Sequence, residues 1–382
     1  MLALLPLAAR NLWSRNRRRT FLTTLTVAAA TVVFCAVMVV PYVTARIVHM
    51  SDQSPRLVIT NRASMAYGLP EHYYDKIVAL PDVVAVNRML WFGGVYKDPK
   101  DQFPTMALDA DSLDVMWPEY GLNNSLMAAF ESSKNAALVG IATMNHYGWR
   151  VGQNVALRSQ VYQLTLTFRI AGVFDQGPDL TPMMLRRDYL EEALHNTGRV
   201  DIMWVRCSSP ETTTRVAAAI DEMFRNSGAE TRSDTEKAFM SQMMNQYKPL
   251  MMVVEGIALI SVIALGLGVL NATSMSLRER RSELAVLRSL GFAGDQILAS
   301  LALEAVLVAV GGGILGTLLA RAALGWARGS VPALGPLLSF GLPRPVMAEG
   351  IGASLAIGLA AALAPALAAL RSSVVDALRA VA

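Results

Sequence analysis

Residues Ser276–Phe292 read SLRERRSELAVLRSLGF, and this charged stretch lies between two long apolar runs. Apolar runs joined by so short a link form a hairpin, with the link at one face of a membrane. Leucine recurs at Leu284, Leu287 and Leu290, and Gly291 follows where a helix end favours a left-handed residue. This charged segment is therefore predicted to form an amphipathic helix suited to a groove on another protein. A solvated, positively charged loop is the alternative.

The chain as a whole is apolar and poor in charge. Of its 382 residues 53% are hydrophobic and 17% are charged, with a mean hydropathy of +0.37. This composition excludes an ordinary soluble protein. Crossing a bilayer takes roughly 20 apolar residues, and four stretches are long enough: Phe21–Val43, Leu250–Leu270, Ile297–Ala320 and Val346–Leu370. The sequence predicts a membrane α-helical fold with four transmembrane helices, one plus three, and an inserted α+β extracytoplasmic domain on a helical stalk.

Charge predicts the orientation. Five arginines and no acid precede the first apolar run, and the charged segment Ser276–Phe292 carries four more arginines. Residues 49–245 instead hold 18 basic and 23 acidic side chains, a net charge of −5. Because positively charged loops stay in the cytoplasm, we expect a multi-pass protein of the bacterial cytoplasmic membrane with both termini inside. The pI near 9.1 then reflects the basic residues that flank the membrane spans and face the lipid bilayer. It does not indicate a nucleic-acid partner.

These features divide the chain into nine segments. In order they are a cytoplasmic or interfacial amphipathic helix (1–20), transmembrane helix 1 and stalk (21–48), the extracytoplasmic α+β domain (49–232), the stalk helix and transmembrane helix 2 (233–275), the charged cytoplasmic helix (276–292), transmembrane helix 3 (293–322), an extracytoplasmic loop (323–345), transmembrane helix 4 (346–370) and a cytoplasmic tail (371–382).

Two stretches of the extracytoplasmic part carry a clear pattern. Apolar and polar residues alternate over Val161–Ile170, which predicts a strand with one buried face. Ser233–Lys248 has helical character, with an end-cap signal at Ser233 or Asp234, and predicts a stalk that continues into the second span. Its Phe239 and methionines either pack against a partner helix or belong to the core of the domain.

Polar and small residues inside the third span are candidates for function. Glu304 is an acid within an apolar helix, where an acid is costly and is usually held by a partner. Gly311, Gly312 and Gly313 follow it and allow another helix to approach closely. Glu255 and Glu349 lie near the outer ends of their spans, where an acid reaches water at little cost, and their role stays open.

The motifs of several enzyme classes are missing from the sequence. There is no GxxxxGK[ST] phosphate loop, no HExxH and no GxSxG elbow. Cys35 and Cys207 lie in different predicted segments and indicate neither a disulfide nor a metal site. The acid pairs Asp109/Asp111 and Glu191/Glu192 are interpreted as solvated faces rather than acid–base pairs. We therefore predict a chain that is not an enzyme and binds no cofactor or metal itself.

Several stretches in a fixed order resemble one family. They are LAARNLWSRNRRRTFLTTLTVAAA, HYGWRVGQNVAL, FRIAGVF, RERRSELAVLRSLGF, LALEAVLVAVGGGILG and APALAALRSSVVDALR. Each piece alone is weak, but their order and spacing over nearly the whole chain are specific. The chain resembles the FtsX-like or MacB-type ABC transporter permeases, also called type VII or mechanotransmission transporters. Its large extracytoplasmic part is similar to the MacB-type periplasmic core domain.

The resemblance implies partners. Two such subunits pair, as a homodimer or a heterodimer, and each docks on a cytoplasmic ABC ATPase that binds ATP and Mg; here that ATPase is expected on a separate chain. A periplasmic adaptor and an outer-membrane component are further possible partners. The resemblance also makes Ser276–Phe292 the coupling helix and Glu304 a family glutamate. Carried over, it gives an ATPase-coupling role to Glu279, Arg281, Glu283, Leu284, Leu287 and Arg288.

Two functions follow from this resemblance. The first is a permease that couples ATP hydrolysis in its partner to movement of its periplasmic domain, for export or extraction of an amphiphile, a peptide or a lipoprotein. The second is a signalling module that transmits force to an extracytoplasmic partner such as a cell-wall hydrolase. The substrate, the partner and the dimer type do not follow from the sequence.

Overall fold

The computed structural model describes residues 17–50, 54–99, 101–246, 248–279, 293–330 and 341–371. The chain divides into two compact units. The helix unit comprises Met1–Tyr42, Lys248–Trp326 and Gly341–Ala382, and the sheet unit comprises Val43–Tyr247 and Ala327–Phe340.

Helices and strands are mixed along the chain, and the last four elements are helices. The first elements are α1 (Arg17–Met50), β1 (Arg56–Asn61), β2 (Leu69–Pro70), α2 (Tyr73–Val78), β3 (Val83–Trp91), β4 (Gly94–Val95), β5 (Thr105–Leu108), α3 (Leu113–Met116), α4 (Asn124–Glu131), β6 (Ala136–Gly140), α5 (Ile141–Tyr147) and β7 (Asn154–Ser159). They are followed by β8 (Thr165–Phe174), β9 (Met183–Arg186), α6 (Arg187–Ala193), β10 (Arg199–Val200), β11 (Ile202–Cys207), α7 (Thr213–Met223), β12 (Thr231–Thr235), α8 (Glu236–Asn245), α9 (Lys248–Glu279), α10 (Gly294–Ser330) and α11 (Arg344–Arg371).

Four long helices hold the predicted spans: α1, α9, α10 and α11 contain the first to the fourth in turn. Among the described residues, two stretches are long and apolar enough to cross a membrane, Thr20–Arg46 in α1 and Ala302–Ala327 in α10. In α9 a shorter apolar stretch, Met251–Ile260, is found. The count of four spans therefore stays a prediction.

The sheet unit is built on one ten-stranded mixed sheet, which confirms the predicted α+β domain. Its strand order is β12-β1-β11-β3-β5-β9-β6-β8-β7-β4, and β2 pairs with β10 in a second small sheet. The pairs β5–β9 and β6–β8 are parallel and the other named pairs are antiparallel. Helices α2 to α8 cover the sheet and bury three apolar clusters against it.

The chain enters and leaves the large sheet at neighbouring strands. β1 is the first strand after α1, and β12 is the last before α8. The two pair antiparallel, with Leu57 opposite Thr235 and Asn61 opposite Thr231. The segments that lead to α1 and α9 are therefore hydrogen-bonded to each other through the sheet edge.

The strand predicted over Val161–Ile170 begins later than expected, since β8 starts at Thr165. Ser159 holds residues 161–164, which precede β8, in a turn. Its Oγ accepts from the backbone N–H of Val161 and Tyr162, and its N–H donates to Leu164 O. Within β8 the predicted alternation is confirmed, with Phe168 and Ile170 buried and Thr167 and Arg169 exposed. Only the start of the strand was predicted wrongly. The apolar–polar alternation of the sequence continues through residues 161–164, but local hydrogen bonds hold these residues in a turn.

The stalk helix also begins later than predicted. Ser233 and Asp234 lie in β12, and Thr235 is the N-cap, with its side chain accepting from Ala238 N–H. Pairing with β1 overrides the helical propensity of these residues. α8 ends at Asn245 and α9 begins at Lys248, and the junction at Tyr247 lies outside the described residues. On α8, Phe239 is buried in the core and Met240 and Met243 pack against it, so the core alternative is correct.

Candidate functional site

The residues predicted to contact an ATPase lie almost entirely outside the described part of the chain. Glu279 is the last residue of α9. Arg281, Glu283, Leu284, Leu287 and Arg288 lie outside the described residues. Their coupling role stays a prediction.

In the helix unit, glycines of α10 bring it close to α1. A Cβ at Gly312 would lie 2.7 Å from Val27 Cβ and 3.0 Å from Thr24 O. One turn further on, a Cβ at Gly316 would lie 2.6 Å from Ala28 O. Only a residue without a side chain fits at such distances, so the two backbones pack directly on each other.

Small residues bring α11 against the same two helices. A Cβ at Gly313 would overlap Ser354 Oγ, and this hydroxyl lies 3.1 Å from Ala309 O of α10. A Cβ at Gly350 would lie 2.7 Å from Cys35 Sγ of α1. Helices α1, α10 and α11 therefore share a tightly packed seam lined by small and weakly polar side chains, an arrangement that holds helices together where lipid offers no hydrophobic driving force.

The other candidate residues of α9, α10 and α11 differ in their exposure. A Cβ at Gly311 would meet no atom of the described residues within 4 Å, so this glycine is not needed for packing against them. Glu304 is half-buried on α10. Glu255 and Glu349 are exposed. The structure thus brings Gly312 and Gly313 of the predicted set into helix contacts and leaves Gly311 on the surface of the chain.

In the sheet unit, an ion-pair network joins elements that are distant in sequence. Asp109 Oδ2 accepts from Arg88 Nε (2.7 Å), and Oδ1 accepts from Arg187 Nε (2.6 Å). Glu71 Oε1 lies 2.7 Å from Arg88 Nη1 and 3.1 Å from Arg187 Nη1, and Glu191 Oε2 pairs with Arg187 Nη1. Three carboxylates and two guanidiniums thus cross-link β3, the end of β5 and the start of α6.

This network corrects the interpretation of the acid pairs as solvated faces. Asp109 and Glu191 are buried, whereas Asp111 and Glu192 are exposed. Sequence spacing could not show this, because the arginine partners of Asp109 lie 21 and 78 residues away. Each acid is held by arginine, so the arrangement is suited to fixing elements rather than to proton transfer. Among the described residues no group of three or more His, Cys, Asp or Glu side chains could hold a metal ion, and both cysteines are free and buried.

Burial raises the pKa of three carboxyl groups in the sheet unit, those of Asp179, Glu191 and Asp201. Asp179 Oδ1 accepts from Thr181 N–H (2.9 Å) and from Thr181 Oγ1 (2.7 Å), and these bonds lower its pKa by less than burial raises it. A raised folded-state pKa means that the folded protein binds a proton more tightly than the unfolded chain does. The stabilising contribution is therefore full below the unfolded-state pKa near 4 and is lost as the pH rises through the folded-state pKa.

We predict that Asp179→Asn changes the pH dependence of stability in this direction. Wild type should lose stability relative to the variant as the pH is raised from 4.5 to 7.5, because asparagine does not ionise. Thermal unfolding of the full chain in detergent micelles at several pH values measures the difference. Asp175→Asn, at an exposed neighbouring position, is the matched control. A wild type–variant difference that is the same at both pH values would contradict the prediction.

Two family models match the chain. The model described as "MacB-like periplasmic core domain" matches residues 20–223, and the model described as "FtsX-like permease C-terminal" matches residues 256–374. The first covers more than half of the chain and includes most of the sheet unit. The second begins in α9 and ends after α11.

Individual proteins are similar at lower identity. A protein of Methanocaldococcus jannaschii named as an uncharacterized ABC transporter permease is 24% identical over 266 residues, 65% of each chain. The macrolide export ATP-binding/permease protein MacB of Agrobacterium fabrum is 29% identical over 164 residues, 41% of this chain and 25% of that protein. The crystal structure of the periplasmic region of MacB from Actinobacillus actinomycetemcomitans matches at 10% identity and a TM-score of 0.35, over 50% of this chain and 92% of that one. The chain thus spans 65% of the first relative's length and 25% of the second's.

Proposed function

Because this chain belongs to the FtsX-like and MacB-type ABC transporter permeases, we propose that it is a permease subunit that converts ATP hydrolysis in a partner chain into movement of its sheet unit. It binds no nucleotide itself and pairs with a second permease subunit. Each subunit docks on a cytoplasmic ABC ATPase through the coupling segment, Ser276–Phe292. Four membrane spans, with both termini in the cytoplasm, complete this proposal.

The observation that carries the proposal is the order of the two matched domains. A MacB-like periplasmic core domain is followed by an FtsX-like C-terminal region, and the coupling segment falls inside the latter. No phosphate loop is present in the sequence, so ATP hydrolysis is assigned to a partner. The pairing of β1 with β12 supports the proposed movement of the sheet unit. A displacement of the segments that lead to α1 and α9 would act on one and the same edge of the sheet.

We further propose that the work done is export or extraction of an amphiphile, a peptide or a lipoprotein on the outer side of the membrane. The name of one relative, a macrolide export protein, fits the amphiphile class. A periplasmic adaptor and an outer-membrane component are the expected additional partners.

Co-purification tests the proposal. The tagged full-length chain is purified from its own host in mild detergent, and proteins that co-purify are identified by mass spectrometry. An ATPase together with an adaptor or outer-membrane channel supports export. An ATPase together with a cell-wall hydrolase favours force transmission in place of transport. If no ATPase co-purifies, and none binds when co-expressed, the coupling role of Ser276–Phe292 is wrong.

A charge reversal in the coupling segment makes the prediction specific. Arg288→Glu or Glu283→Arg should reduce capture of the ATPase by about tenfold or more, since charged pairs across a docking surface contribute 1.5 kcal/mol and upwards. The quantity measured is ATPase bound per tagged chain. The control is Arg328→Glu, in the short predicted extracytoplasmic loop. Unchanged capture by the coupling-segment variants, with the sheet unit still folded, would contradict the assignment.

A further inference from the structure

A buried arginine at the start of β1 contacts three segments at once. Arg56 is 8% exposed and is the first residue of β1. Its Nε donates to Glu236 Oε2 (2.8 Å) and its Nη2 to Glu236 Oε1 (3.2 Å). Its Nη1 donates to Met116 O (2.9 Å) and to Glu119 Oε2 (3.0 Å), and its Nη2 lies 2.7 Å from Glu119 Oε1. The guanidinium thus makes four hydrogen bonds and one further close ion-pair contact to two carboxylates and one carbonyl.

The partners of Arg56 occupy different places in the fold. Glu236, also 8% exposed, is the first residue of α8, the helix that precedes α9 in the chain. Arg56 itself begins the first strand after α1. Met116 ends α3, and Glu119 lies in the short 3-10 helix Pro118–Tyr120. The Arg56 side chain therefore joins the start of β1 and the start of α8 to a third segment, residues 116–119.

That third segment leads to the opposite half of the sheet. The ring of Tyr120 packs edge-on against Phe174, the last residue of β8, with centroids 5.2 Å apart. A Cβ at Gly121 would lie 2.9 Å from the side chain of Gln176, and a Cβ at Gly177 would lie 2.5 Å from the Tyr120 ring. In the strand order, β8 is separated from β1 by β11, β3, β5, β9 and β6. The contact chain through Arg56 bypasses these strands.

We propose that Arg56 is a positioning residue that makes β1, the start of α8 and residues 116–121 move as one body. This inference rests on the proposed function, because it names how displacement of β1 and α8 reaches residues 174–177. A buried carboxylate is tolerated only while it is paired. If β1 and α8 moved apart, the buried Glu236 would lose its guanidinium in a dry environment. If residues 116–121 stayed behind, the buried Arg56 would lose the carbonyl of Met116 and the partly exposed carboxylate of Glu119. Displacement of the three segments together avoids that cost.

The test uses the full-length chain in lipid nanodiscs with the ATPase that co-purifies with it. Backbone hydrogen–deuterium exchange is followed by mass spectrometry, without nucleotide and with ATP plus vanadate. Arg56→Gln combined with Glu236→Gln removes the link without leaving Glu236 charged, so this variant is expected to fold. Arg56→Lys keeps the charge but not the planar fork. Arg206→Gln is the matched control, because Arg206 is opposite Arg56 on β11 and reaches the same carbonyl at 3.4 Å.

Three results support the assignment together. In the double variant without nucleotide, exchange should rise by about tenfold or more both at the start of α8 and in residues 116–121, while β7 stays protected. The nucleotide-dependent change at residues 174–177 should be lost in the double variant, partly retained in Arg56→Lys and fully retained in Arg206→Gln. A merely local role of Arg56 would leave this nucleotide response intact.

The outcomes separate this inference from the proposed function. If wild type responds to nucleotide in the sheet unit and the double variant responds equally, the proposed function stands and the role of Arg56 is overturned. An increase in exchange confined to one of the two linked segments overturns it as well. If wild type shows no nucleotide response in the sheet unit, the proposed function fails, and the inference that rests on it fails too.

Discussion

Gly140→Ala should unfold the sheet unit at a much lower temperature than wild type. Gly140 joins β6 to α5, and a Cβ there would overlap the carbonyl oxygen of Leu180 and lie 2.5 Å from its carbonyl carbon. The obstacle is main chain, which cannot rotate away as a side chain can. Overpacking of this kind costs about 3 kcal/mol or more, a large part of the stability of a typical domain.

The backbone around Leu180 is held in place by its own hydrogen bonds. Ala142 N–H donates to Leu180 O (3.1 Å), Gly140 N–H donates to Pro182 O (3.0 Å), and Thr143 Oγ1 donates to Thr181 O (2.5 Å). Moving residues 180–182 outward to admit a methyl group would lengthen all three bonds. For a domain of this size, a loss of about 3 kcal/mol corresponds to a fall in Tm of roughly 6–12 °C.

Thermal unfolding of the full chain in detergent, followed by tryptophan fluorescence, measures this effect. Gly228→Ala is the matched control, because a Cβ at Gly228 would meet no atom of the described segments within 4 Å and its backbone needs no left-handed conformation. That control should unfold within a degree or two of wild type. Equal melting temperatures for the two variants would show that residues 180–182 do not lie where the structure places them.

Gly312→Leu should separate α1 from α10 in the helix unit. The added side chain would occupy the space of Val27 and Thr24 O, which lie 2.7 and 3.0 Å from the position of the Cβ. Helices in lipid are held by close van der Waals contact, and that contact is lost when the backbones are pushed apart. We expect a destabilisation of about 2–4 kcal/mol, seen as a loss of monodisperse protein on size-exclusion chromatography after mild heating.

The adjacent glycine is the matched control. In the part of the chain that the structure describes, Gly311 has no neighbour within 4 Å of its Cβ position and is exposed. Gly311→Leu adds the same volume to the same helix at the next residue and should leave the heating profile close to wild type. If both variants lose the folded protein to the same extent, local helix propensity or insertion explains the loss, and the contact between α1 and α10 does not.

The sequence predicted the order and type of the elements better than the tertiary contacts between them. The four apolar runs fall within α1, α9, α10 and α11, and the alternation after Thr165 falls on one strand with a buried face. These features depend on periodicity and length, which are local properties of a sequence. The start of α8 was predicted wrongly because pairing of Ser233 and Asp234 with β1 is set by residues about 175 positions earlier.

The site residues show the same limit more clearly. A run of three glycines indicated helix contact, but the sequence does not tell which of the three faces α1, since that depends on the rotation of α10 about its axis. Asp109 and Glu236 were not recognised as buried acids, because their partners Arg187 and Arg56 are 78 and 180 residues away. Buried ion pairs are made by tertiary structure, and a single sequence carries no local signal for them.

The adjacency of β1 and β12 has an evolutionary consequence. A domain whose first and last strands are hydrogen-bonded neighbours, about 5 Å apart, can be inserted into a host chain or removed from it without moving the host's ends. The segment between Asn61 and Thr231 can thus be exchanged at this strand pair, provided that the new segment supplies a strand beside β1 and partners for Arg56. A chimaera joined at this strand pair is therefore the natural route to exchanging most of the sheet unit between related chains.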